Sequence, residues 1–149
     1  MVGIWLFFAS LTATTFAAPM LEVQLSLDTN NGFHAHLQMT NNAATSVSSS
    51  PYDVPQSPLD GLLFRVKRNG IPLAYLGPMA KRPAPSQADF ITWAPGETKN
   101  YGLELSKLFD VSEGGTYTVS FRSRTYHPVG SDSFAETVVK AEATIPREM

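Results

Sequence analysis

His34 and His36 stand two residues apart. On an extended strand that spacing puts both imidazoles on one face. Such a pair would hold zinc only weakly, and no third ligand follows nearby. No His-Glu-x-x-His sequence occurs. Two imidazoles on the wet face of a strand are the simpler reading. Nucleophilic catalysis has no better footing. Serine and threonine are plentiful, but there is no Gly-x-Ser-x-Gly elbow. His127 sits beside Pro128, and nothing marks an acid or serine partner for it. Asp132 and Glu136 read as solvated charges rather than an acid–base couple. The chain has no Cys, which excludes disulfides, thiolate metal sites and a Cys nucleophile. No glycine-rich phosphate loop is present. No catalytic residue, metal ligand or cofactor site is expected.

The segment 77–88, GPMAKRPAPSQA, is different in kind. Lys81 and Arg82 lie between Pro78 and the run Pro83-Ala84-Pro85. Proline limits flexibility, so such a segment can present an extended surface to a partner cleft. A plain solvent-exposed connection is the alternative.

Elements of period two surround that loop. Leu21, Val23, Leu25 and Leu27 alternate with polar residues, as do Phe33, Ala35, Leu37 and Met39. Asn30-Asn31-Gly32 reads as the turn of a hairpin between them. Residues 41–57 are polar and Pro-bearing, and read as a long connection between two sheets with a short strand near 44–48. A strand over 62–67, the Asn69-Gly70 turn and a return over Ile71–Leu76 follow, with Pro72 marking an edge. Asp89–Trp93, Tyr101–Leu105, Tyr117–Phe121 and Thr137–Ile145 complete the strands, and Ser106–Phe109 reads as one helical turn. Tyr75, Phe90, Trp93, Tyr101, Tyr117 and Phe121 are expected mainly in the core. The pattern predicts an all-β, antiparallel immunoglobulin-like sandwich of seven or eight strands, with a small β-barrel as the alternative.

The 149 residues carry a net charge of −2, with 11 Lys and Arg against 13 Asp and Glu. That balance gives no electrostatic case for nucleic acid. Residues 1–17, MVGIWLFFASLTATTFA, are apolar and uncharged, and read as a secretory signal peptide cleaved after Ala17. The run is shorter than the ~20 residues that a membrane span needs. Residues 18–149 are then expected to be one secreted domain, extracellular or periplasmic, with no stable membrane span.

Residues 57–122 carry a more specific pattern. It runs through Ser57-Pro58-Leu59-Asp60-Gly61, Phe64-Arg65-Val66, Asn69-Gly70, then Pro72, Tyr75, Gly77 and Pro78. Lys81-Arg82, Ala84-Pro85, Asp89-Phe90 and Pro95-Gly96-Glu97 follow, then Leu105-Ser106, Phe109-Asp110 and Gly115-Thr116-Tyr117-Thr118-Val119. In order and spacing this resembles the N-terminal propeptide domain of deuterolysin-like (aspzincin) secreted zinc endopeptidases, especially the peptidyl-Lys type. The protease domain of that family, with its His-Glu-x-x-His helix, has no counterpart here.

The resemblance implies a stand-alone propeptide-like domain and no protease activity. It implies a partner, a secreted zinc metalloendopeptidase of the aspzincin type, which the chain would inhibit or help to fold in trans. Gly77, Pro78, Met79, Ala80, Lys81, Arg82 and Pro83 are then the protease-contact candidates, with Lys81 aimed at a specificity pocket. Asp60 or Asp89 approaching the zinc is an alternative contact. A secreted immunoglobulin-like binding module for another protein or glycan is a competing function, and so is the remnant of a truncated protease precursor.

Overall fold

Leu21 is fully buried and Glu22 exposed, Val23 buried and Gln24 exposed. This alternation opens a computed structural model that describes residues 21–79, 81–126 and 134–146. The signal-peptide segment and His127, Pro128 and Asp132 lie outside the described residues.

Strands β1 (Leu21–Asp28) and β2 (His34–Asn41) form the expected hairpin, with Leu21 opposite Asn41 and Asp28 opposite His34. Its turn requires positive φ, which Gly32 supplies at +91°. After β3 (Val47–Ser49), a 3-10 helix over Pro58–Leu63 leads into β4 (Phe64–Arg68). Asn69 and Gly70 both adopt positive φ, 50° and 83°, as a type I′ turn demands. The return strand β5 is only Ile71–Pro72. The reason is physical: Pro72 has no N–H to extend a ladder. Leu73 still donates to the Val66 carbonyl at 2.9 Å, and the backbone then turns to Leu108, whose carbonyl accepts from the Leu76 N–H at 2.7 Å. Strands β6 (Ile91–Trp93), β7 (Thr98–Glu104), β8 (Gly115–Tyr126) and β9 (Phe134–Ile145) follow.

Nine strands are thus present among the described residues, more than the seven or eight read from the pattern. The two shortest, β3 and β5, fall at the short strand read near 44–48 and at the return read over Ile71–Leu76, and are three and two residues long. One sheet runs β1-β2-β7. In the other, β8 pairs with β9 along one edge and with β4 and then β3 along the other, and β5 and β6 lie outermost. All pairings are antiparallel and neither sheet closes into a barrel. Strands one, two and five of an immunoglobulin sandwich share a sheet, and strands three, six and seven share the other. The β1-β2-β7 and β4-β8-β9 groupings reproduce that connectivity.

The Tyr117 hydroxyl reinforces the same architecture. It donates to the carbonyl of Glu113, just before β8, as a tyrosine corner does. Its ring meets Phe33 edge-on at 5.4 Å, joining the two sheets. Trp93, Leu37, Met39, Val119 and Phe121 fill the core around them. Asn41 is buried with its side chain fully used. Its Nδ2 donates to the carbonyls of Thr45 and Trp93, both at 2.9 Å, and its Oδ1 accepts from the Ala43 N–H.

Candidate functional site

Tyr75 organises the loop singled out above. Its ring packs edge-on against Phe109 at 5.7 Å. Its hydroxyl donates to the Pro78 carbonyl at 2.7 Å. Burial pushes this hydroxyl's pKa up, with Asp60 adding to the shift and Arg82 opposing it. The phenol therefore stays protonated as the donor. Two glycines let the backbone close around the ring. A Cβ on Gly77 would lie 2.5 Å from the Tyr75 hydroxyl and 2.5 Å from Leu108, and one on Gly61 would lie 2.7 Å from Leu108. Neither position tolerates a side chain without movement.

The far end of the loop is held by charge. Asp60 is 3% exposed. Its Oδ2 accepts from the N–H groups of Gln56 and Ser57, both at 3.0 Å. Arg82 Nη1 lies 2.8 Å from Oδ1, a buried oxygen that accepts no hydrogen bond among the described residues. The Arg82 guanidinium also covers the Tyr52 ring at 4.3 Å. A buried carboxylate that satisfies two backbone donors and one cation fixes its surroundings far more firmly than an exposed pair.

The seven contact candidates therefore divide. Gly77, Pro78 and Arg82 anchor the loop. Met79, 74% exposed, and the exposed Lys81 and Pro83 are presented to solvent. Ala80 lies outside the described residues. Asp60 faces inward as an anchor for Arg82, whereas Asp89 is exposed and caps Ser86, taking its N–H and its hydroxyl at 3.0 Å. Leu76 is 63% exposed, Leu62 53% and Ile71 65%. Together with Met79, these are four of the five large hydrophobics that stand exposed among the described residues, all between positions 62 and 79.

The histidines do share a face, with rings stacked at 6.3 Å. The imidazole Nε2 of His34 is hydrogen-bonded to the Asn31 carbonyl at 2.7 Å. Among the described residues no group of three or more His, Cys, Asp or Glu is placed to hold a metal. No helix among them is long and apolar enough to cross a membrane.

No protein-family model matches the chain. The chain is 29% identical over 140 residues to an extracellular protease of Aeromonas hydrophila. That match covers 93% of this chain and 40% of the protease. The chain thus spans well under half of that relative, and the similarity reaches beyond residues 57–122 to both sheets. It is related, distantly, to part of an extracellular protease.

Sequence reasoning did not find the role of Asp60 and Tyr75 as loop anchors. Asp60 and Arg82 are remote in sequence, so nothing local announces their pairing. The one available signal was the spacing of Tyr75, Gly77 and Pro78, a tyrosine close to residues that allow tight backbone approach.

Proposed function

We propose that this chain is a secreted propeptide-like domain that binds a zinc metalloendopeptidase of the deuterolysin (aspzincin) type in trans, and so inhibits it or assists its folding. One observation carries the reading. The 77–83 loop is tied down by Tyr75–Pro78 at one end and Asp60–Arg82 at the other, while Met79 and Lys81 point outward.

An inhibitor has to occupy the cleft better than substrate does. A loop already held in its bound shape loses little further freedom on docking. Lys81 supplies the side chain for a Lys-preferring pocket. Pro83 slows cleavage nearby by restricting the backbone. Leu76 and Met79 supply apolar contact around it. The partial match to an extracellular protease supports a protease-associated origin for the fold.

The test is a titration. Residues 18–149 are added to an active aspzincin endopeptidase while cleavage of a Lys-containing peptide is followed. The proposal expects activity to vanish at about one chain per enzyme, the stoichiometry of a single tight site. Full activity with the chain in excess, and rapid digestion of the chain, would contradict inhibition.

A further inference from the structure

The outward face of the β4-β8-β9 sheet has a charge opposite to that of the whole chain. Register places Arg65 opposite Ser120, and Ser120 opposite Lys140. Lys67 faces Thr118, and Arg122 and Arg124 face Val138 and Glu136. Arg65, Lys67, Arg122, Arg124 and Lys140 are all exposed, whereas Phe64, Val66, Phe121 and Ser123, which alternate with them, are buried. Five of the chain's 11 cationic residues thus share one face, against Glu136 and Glu142, although the net charge is −2. The separation of charge is invisible without the register.

The basic face is not flat. A hollow of about 210 Å³ opens in it, lined by Asp53, Arg65, Arg122 and Arg124, with Leu62 and Val138 at its sides. Leu62 is 53% and Val138 47% exposed. Arg122 leans on Glu136 at 3.6 Å, a surface pair worth little and easily exchanged. The main-chain carbonyl of Asp53 accepts from the Ser123 hydroxyl at 3.1 Å.

We propose that this face docks an extended acidic segment of a partner protein, with one carboxylate seated between Arg65, Arg122 and Arg124 and an adjacent apolar side chain on Leu62 and Val138. Size and chemistry select that occupant. Small-molecule sites usually enclose roughly 300–1,000 Å³, so this hollow suits a single side chain. Arginine is the residue that grips a planar carboxylate through two parallel hydrogen bonds. A phosphate polymer fits worse, because Asp53, Glu136 and Glu142 interrupt the cationic row and two apolar residues lie within it. Burial pushes the Asp53 carboxyl up to about 6 against the pull of Arg124, which weakens its competition for the arginines as the pH falls. The inference stands apart from the protease-binding reading, since it uses a different face.

The experiment uses the secreted chain and a fluorescein-labelled Gly-Glu-Leu-Asp-Val-Gly peptide, read by anisotropy. Saturable binding is expected, and lost when the acidic residues of the peptide are replaced by Gln and Asn. Loss of a close charge contact should weaken binding about tenfold for Arg65→Glu and for Arg122→Glu. Lys67→Glu, on the same face but off the hollow, should weaken it less than about threefold, as a distant screened charge does. Leu62→Ser should weaken it while leaving charge untouched, and circular dichroism checks that each variant is folded. Equal loss with Lys67→Glu, or equal binding of the Gln/Asn peptide, would overturn the proposal. Binding of heparin or phosphatidylserine vesicles without binding of the peptide would overturn it too, in favour of a general polyanion surface.

Discussion

Asp60 and Arg82 meet at 2.8 Å, with the aspartate buried and the arginine only 28% exposed at its side chain. The pair closes the loop that carries Lys81. Arg82→Ala leaves a buried charge short of its cation and should cost about 2–3 kcal/mol, somewhat below the fully buried case. Asp60→Ala should cost more, because the N–H groups of Gln56 and Ser57 lose their acceptor as well. Urea unfolding gives both values. A lysine-specific endoprotease should cut after Lys81 faster in Arg82→Ala than in the parent. Equal cutting rates would mean that the pair does not restrain the loop.

Asn41→Ala should be among the most damaging polar substitutions in the chain. It strands the buried Trp93 carbonyl together with the part-buried Thr45 carbonyl and Ala43 N–H. The expected cost is about 2–4 kcal/mol, from one or two unsatisfied buried groups. The midpoint of thermal unfolding should fall by several degrees. A change within error would show that water or a backbone shift satisfies those groups.

Tyr117→Phe isolates the corner hydrogen bond. The ring remains against Phe33, so only the hydroxyl and its bond to Glu113 are lost. The expected loss is about 1 kcal/mol. A neutral result in urea unfolding would remove the corner from the account of stability.

Asp53 gives the chain a pH dependence of unusual sign for a carboxylate. Its pKa is about 6 when folded, because burial outweighs the attraction of Arg124. The ordinary value is 3.8. Between these values the folded chain holds a proton that the unfolded chain has lost. Stability therefore falls as the pH rises from about 4 to 6, then levels off. Glu97, Glu104 and Asp110 are held low by hydrogen bonds from Ala94, Ser106 and Ser112, so their contribution has the opposite sign and is lost as the pH falls below the ordinary values of 4.5 and 3.8. Urea midpoints should be lower at pH 7 than at pH 5, and Asp53→Asn should reduce that difference. An unchanged difference in Asp53→Asn would refute the assignment.

Strand phase was legible in the sequence wherever one face is buried. The runs from Leu21 and Tyr117 alternate because each second side chain enters the core. Asn69-Gly70 was legible because type I′ geometry demands positive φ at both positions. The serines at 48–50 were legible only in part. Ser48 ends the short strand read near 44–48, whereas Ser49 and Ser50 lie in the polar stretch read as connection, yet all three are buried. Ser49 donates its hydroxyl to the Arg124 carbonyl and Ser50 accepts from the Tyr52 N–H, so burial leaves both hydroxyls bonded. The candidate loop was legible as a segment but not in its division of labour. Lys81 and Arg82 are neighbours of like charge, and only a remote buried aspartate makes one an anchor and leaves the other exposed.

The most direct measurement is the inhibition constant of Lys81→Ala against an aspzincin endopeptidase, set beside that of the parent chain. A residue that fills a central pocket contributes at least about 2 kcal/mol, so the constant should rise about 30-fold or more. Arg65→Glu, on the other face, should leave it unchanged. Equal constants for Lys81→Ala and the parent would contradict the claim that this loop carries protease binding.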